Sequence, residues 1–152
     1  MKPIYFTCGP SQLYPTLTSH FRQALNRNIP SLSHRGDKFQ QIYDQTVQSL
    51  KKLLRIPAGF QVFFLSSSLE TMERVVQNCV AKSSFHFVNG AFSQKFFQIA
   101  GDLKKKPVKY EVAFGQGFSF LVDAPIPERT ELICLTQNET STGVQPSLQD
   151  LY

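Results

Sequence analysis

The feature that most constrains this chain is an alternation along residues 60–136 between short apolar runs and segments of helical periodicity. Residues 60–65 (FQVFFL), 85–88, 108–114 and 131–136 (ELICLT) are short and rich in aromatic and β-branched side chains. All four read as strands, and the nearly continuous apolar character of residues 60–65 predicts a strand covered on both faces. Between them Leu69, Met72, Val75, Val76, Cys79 and Val80 recur at helical spacing, and residues 92–103 read as a further helix. Strands alternating with helices predict an α/β layered fold with a largely parallel sheet. Residues 115–129 are looser, with room for one more short strand around 118–122.

Before this region, residues 4–10 read as an extended lead-in closed by Gly9-Pro10, and residues 13–25 as a helix with Leu17, Phe21 and Leu25 on one face. A polar loop holding Pro30 and Gly36 follows, and then the clearest helix, residues 39–54, with Asp37 as its expected N-cap and Pro57 and Gly59 as its stop. At the far end Pro146 or Ser147 has the character of a helix start with barely one turn after it, so the fold is expected to continue beyond Tyr152. The reading divides the chain into a lead-in and helix over 1–30 and the front part of a larger domain over 31–152.

Composition narrows the partners. With 41% hydrophobic and 18% charged residues the chain has the balance of a globular protein. Its net charge of +5 favours anionic ligands but is too dispersed for a nucleic-acid binder; the one basic run, Lys104 to Lys106, suits a solvated helix end. Cys8, Cys79 and Cys134 are far apart and lie in apolar surroundings, as free thiols of a reducing, cytoplasmic compartment would. No signal peptide, membrane span, zinc pattern or catalytic histidine spacing is present in the sequence.

Four polar segments could carry chemistry. Ser66-Ser67-Ser68 lies in a strand-to-helix turn, where unpaired N–H groups and the helix dipole favour a phosphate, although a serine there also serves as an ordinary cap. Ser33-His34-Arg35 places a guanidinium able to grip an anion in a loop. Asn89-Gly90-Ala91-Phe92 puts a ring just beyond a strand end, as a core residue or a stacking surface. Residues 136–143 (TQNETSTG) follow an apolar strand directly, and open α/β sheets bind ligands beyond the carboxyl ends of their strands.

Taken in order, TCGPSQLYP (7–15), SHRGDKF (33–39), FLSSSLETME (64–73), VNGAFSQK (88–95) and TQNETSTGV (136–144) make the chain resemble the N-terminal part of the class V, fold type I pyridoxal-phosphate aminotransferases, with the phosphoserine aminotransferases as the nearest branch. The resemblance implies a three-layer α/β sandwich with a mostly parallel sheet, here an incomplete large-domain portion. It implies pyridoxal 5'-phosphate as cofactor, with Ser68, Leu69 and Glu70 offering backbone groups to its phosphate, Phe92 stacking on its ring and Thr140 near its phenolic oxygen. Cys8, His34 and Arg35 fall at positions that contact substrate, an amino acid or 2-oxo acid, and sites shared across a homodimer would let Arg35 serve the partner. The Schiff-base lysine and the aspartate facing the pyridine nitrogen are implied beyond Tyr152, so no catalytic residue is expected within this span. Three serines replace the family's glycine-rich turn, Glu70 stands where the phosphoserine branch often has arginine, and Phe92 replaces the usual tryptophan. The alternatives left open are another class V activity, namely alanine-glyoxylate-like transfer, desulfurase or lyase chemistry, and a phosphate-ligand binding module without catalysis.

Overall fold

Strand β1 (Ser83–Val88) is the centre of the best-packed part of the structure, a computed structural model that describes residues 3–7, 9–118 and 124–146. Two units can be distinguished, Met1–Phe64 and Leu65–Tyr152.

In the second unit, β1 lies between β2 (Lys106–Glu111) and β3 (Leu132–Cys134), giving a three-stranded sheet in the order β2-β1-β3. Both pairings are parallel, with Phe85 opposite Val108 and Ile133. Five of the six β1 residues are buried, so both faces of the strand are covered, the polar Ser84 and His86 included. Helices α3 (Ser68–Cys79) and α4 (Ala91–Asp102) flank it in sequence. Val76 and Val80 from the α3 end and Ala100 from α4 form a buried cluster, joined by Phe96, Leu103 and Leu132. On one face of β1, His86 stands edge-on to Phe96 and Phe97 of α4; on the other, Phe87 meets Tyr110 and Phe118. Aromatic rings packed at these angles contribute beyond their buried area. Glu131 secures the start of the sheet, its carboxylate accepting from the backbone N–H groups of Lys82 (2.6 Å) and Ser83 (3.1 Å). Those bonds hold its pKa below the ordinary value.

The first unit holds α1 (Leu17–Asn26), a 3-10 turn (Ile29–Ser31) inside the expected loop, and α2 (Asp37–Leu54). The N-cap of α2 is Gly36, not Asp37; Asp37 is the first helical residue, where its carboxylate complements the positive end of the helix dipole. The helix ends before Pro57, at Arg55 in the left-handed region (φ 54°). Neither helix buries a residue, and Phe21 is 64% exposed.

The strand expected over residues 60–65 is not formed. Its side chains have strand character, but a strand is made by a ladder, and no described segment pairs with this one. Instead the Val62 carbonyl accepts from the Tyr43 hydroxyl (3.1 Å), and the Phe64 ring packs edge-on against Tyr43. The other expected strands and helices are present with shifted ends. The possible strand at 118–122 and the helix start at Ser147 fall largely outside the described residues. Among the described residues no helix is long and apolar enough to cross a membrane, and no cluster of His, Cys, Asp or Glu could hold a metal.

Buried His86 gives the fold a pH signature. Its ring accepts or donates one hydrogen bond, with Ser84 Oγ (2.8 Å), while Nδ1 has no partner among the described residues, and burial pushes its pKa down from 6.5 to about 4. Between those two values the unfolded chain binds a proton that the folded chain does not, so stability falls as pH drops through this window, by on the order of 3 kcal/mol at its lower end. Urea midpoints measured from pH 4 to 7 should therefore rise up to about 6.5 and level off, and His86→Leu should flatten the slope; an equal slope in both proteins would contradict this.

Candidate functional site

The turn after β1 must change direction without a capping side chain, because the residue at the N-cap of α4 is Gly90. Four first-turn N–H groups of a helix lack intrahelical acceptors. Here they are satisfied from two directions. Ser93 Oγ accepts from Asn89 N (3.1 Å) and Gly90 N (3.0 Å), and the rest comes from a loop some fifty residues away in sequence. Glu139 reaches in from the carboxyl side of β3, its carboxylate accepting from Ser93 N (2.8 Å) and Phe92 N (3.3 Å), while Ser141 Oγ accepts from Ala91 N (2.9 Å).

Glu139 has no solvent-accessible surface. Desolvation raises its pKa, but hydrogen bonds from Ser141 Oγ (2.6 Å), Ser93 and Phe92 outweigh that, and the net value lies below the ordinary one. It is therefore an ionised carboxylate seated at the positive end of a helix. The loop bearing it closes on itself: Glu139 N donates to Val144 O, Gly143 N donates to Glu139 O, and Gly143 supplies the positive φ (76°) of the turn. Asn89 ties the other side, its Nδ2 donating to Gln116 O (3.1 Å).

This clamp brings together two of the residues singled out from the sequence. Thr140, exposed, lies between Glu139 and Ser141, and Phe92, 38% exposed, lies in the α4 turn they hold. Nearby in sequence, just past the carboxyl end of β3, Thr136 Oγ1 is buried without a hydrogen-bond partner among the described residues.

The serine turn is built differently. Ser67 caps α3, its Oγ accepting from Glu70 N (3.2 Å), and Glu70 folds back so that its carboxylate accepts from Ser66 N (3.0 Å) and Ser66 Oγ (2.6 Å). Those bonds hold the Glu70 pKa below its ordinary value. This is close to a capping box, shifted by one residue at the receiving end. Ser68 and Leu69 retain N–H groups with no intrahelical acceptor. The turn borders an open cleft of about 540 Å³ that also meets Lys95, Ile99 and Asp102 of α4 and Leu103 just past its end. Neither Phe92 nor Thr140 lines that cleft.

His34 and Arg35 belong to the first unit, in the turn before α2, where Arg35 N donates weakly to Ser33 Oγ (3.3 Å). Cys8 lies outside the described residues.

Sequence reasoning singled out the polar octet but not Glu139 as the cap of α4, nor Gly90 as the residue that admits it. A usable signal was present: a helix beginning after a glycine needs its N-terminal cap from elsewhere, and an acid just past a buried strand can supply it. A Cβ at Gly90 would fall inside the van der Waals envelope of Glu139 Cγ and Cδ. Gly90→Ala should accordingly lower stability by about 1–3 kcal/mol through overpacking, read as a shift of the urea midpoint, whereas Gly101→Ala, with open space around it, should not destabilise.

The second unit is a parallel α/β fragment with polar turns beyond the carboxyl ends of its strands, the side on which open α/β sheets bind ligands. No family model matches the chain. Known proteins that resemble it are phosphoserine aminotransferases. That of Burkholderia vietnamiensis is 28% identical over 173 residues, covering 99% of this chain and 46% of the relative. The crystal structure of the Cytophaga hutchinsonii enzyme superposes with a TM-score of 0.91 at 48% identity, over 97% of this chain and 41% of that one. A pyridoxal-phosphate-bound phosphoserine aminotransferase from Trichomonas vaginalis shares the fold, with a TM-score of 0.71 at 21% identity, over 92% of this chain and 45% of that one. The chain thus spans less than half the length of these three proteins and matches their N-terminal portion.

Proposed function

We propose that this chain is the N-terminal, cofactor-facing part of a pyridoxal-phosphate-dependent phosphoserine aminotransferase, which moves an amino group from glutamate to a 2-oxo acid. The observation that carries this reading is the 48% identity to the Cytophaga hutchinsonii enzyme across 97% of the chain. The uncovered apolar side chains, including Phe21 (64% exposed) and Phe63 (79% exposed), support it as well, since a longer protein has the further surface to cover them.

The residues present fit the cofactor in four respects. Ser68 and Leu69 offer N–H groups at a helix N-terminus for a phosphate, Phe92 offers a partly exposed ring for stacking, and Thr140 an exposed hydroxyl. Thr136 Oγ1 is a buried polar atom still lacking a partner. Pyridoxal phosphate, when bound, supplies an electron sink; the chain's own residues bind and orient. Glu70 N donates to Ser67 Oγ and the Glu70 carboxylate is bound by Ser66, so of the three expected backbone groups those of Ser68 and Leu69 are the ones left for a phosphate among the described residues. Residues 31–152 then form the front of the large domain, and His34, Arg35 and Cys8 are the substrate-side residues of a cytoplasmic homodimer.

The reading is tested on protein expressed from the complete gene and purified with pyridoxal phosphate. A visible absorption band should be present and should move to shorter wavelength when glutamate is added. Folded protein that acquires no such band with excess cofactor would overturn the proposal.

A further inference from the structure

Glu139 caps a helix that already has a local hydroxyl in Ser93, and it does so from a different loop, at the cost of burying a carboxylate. A cap that only had to satisfy N–H groups could have come from a serine or aspartate at position 90. What the long-range cap adds is a fixed relation between two segments. Phe92 N and Ser93 N are bound by the same carboxylate that receives Ser141 N (3.4 Å) and Ser141 Oγ (2.6 Å), so Thr140 is bracketed by two residues fastened to the first turn of α4. Gly90 makes the close approach possible, since no larger residue leaves room for the Glu139 side chain.

We propose that Glu139 is a positioning residue: by locking the α4 turn to the 139–144 loop, it holds the Phe92 ring and the Thr140 hydroxyl at one set distance and angle to the bound cofactor. This rests on the cofactor reading above. It requires no contact between Glu139 and the cofactor, because the carboxylate is saturated by protein donors and has no accessible surface. Glutamine is the sharp substitution. It keeps the shape but loses the charge and turns an N–H₂ group toward donors, so at least one of Phe92 N, Ser93 N and Ser141 Oγ loses its acceptor. A hydrogen bond to a charged group is strong enough that losing one should weaken a ligand held by this geometry about tenfold.

The test uses protein from the complete gene, with pyridoxal phosphate itself as the probe. Equilibrium dialysis should show about tenfold weaker binding for Glu139→Gln than for the unaltered protein. At saturating cofactor the visible-region circular dichroism, which reports how rigidly the chromophore is oriented, should fall while the far-ultraviolet spectrum stays the same. A role confined to stability would leave the saturated visible signal unchanged, and that result would overturn the proposal, as would unchanged affinity. Should Glu139→Gln fail to fold, Ser141→Ala, which keeps the carboxylate but removes one of its donors and the acceptor of Ala91 N, should move both readouts in the same direction by less; no movement there would sink the idea. If the unaltered protein itself binds no pyridoxal phosphate, the cofactor reading fails, and this proposal falls with it by a distinguishable result.

Discussion

A buried carboxylate on a helix N-terminus is the interaction on which the functional half of this structure depends. Glu139 is fully enclosed and held ionised by donors from two segments, and it joins the end of β1 to the end of β3 through something other than the sheet. Strand pairing does not join those two ends to each other, because β1 and β3 pair only as far as His86 and Cys134 and the polar loop begins beyond. An enclosed charge without partners would be costly, so the arrangement works only with each donor in place, and each donor in turn loses its freedom to move. Asn89 extends the same network to the turn at Gln116.

Much of the architecture was legible because local and global signals agree. Residues 85–88 read as a strand and form the end of β1, buried in the structure. The periodic stripes of α2, α3 and α4 read as helices and form them within a few residues of the expected ends. Residues 60–65 are richer in apolar side chains than β1 but form no strand, since composition specifies a preference whereas pairing needs a neighbour. The Asp37 and Gly36 reversal has a similar origin: an acidic residue favours both the cap and the first turn, and sequence does not separate the two.

The site was legible in a different way. The polar octet at 136–143 stands out because it follows an apolar strand so abruptly, and the structure places one of its members, Glu139, inside the protein rather than facing a ligand. Glu139 and Ser93 are 46 positions apart, and no periodicity relates them; only folding reveals that the acid of one turn completes the helix of another. Glu70 is the opposite case. Its bond to Ser66 is local, and the S-x-x-E spacing from Ser67 already announces a capping arrangement.

The central claim, that Glu139 fastens the first turn of α4 to the 139–144 loop, is tested most directly by residue-resolved amide hydrogen exchange on the unaltered protein. First-turn helix amides ordinarily exchange quickly because they lack intrahelical acceptors. Here Ser93 N–H, and to a lesser degree Phe92 N–H, should exchange as slowly as the amides of the middle of α4. Exchange of both at the rate of exposed loop amides would show that the carboxylate does not hold them, and would contradict the account.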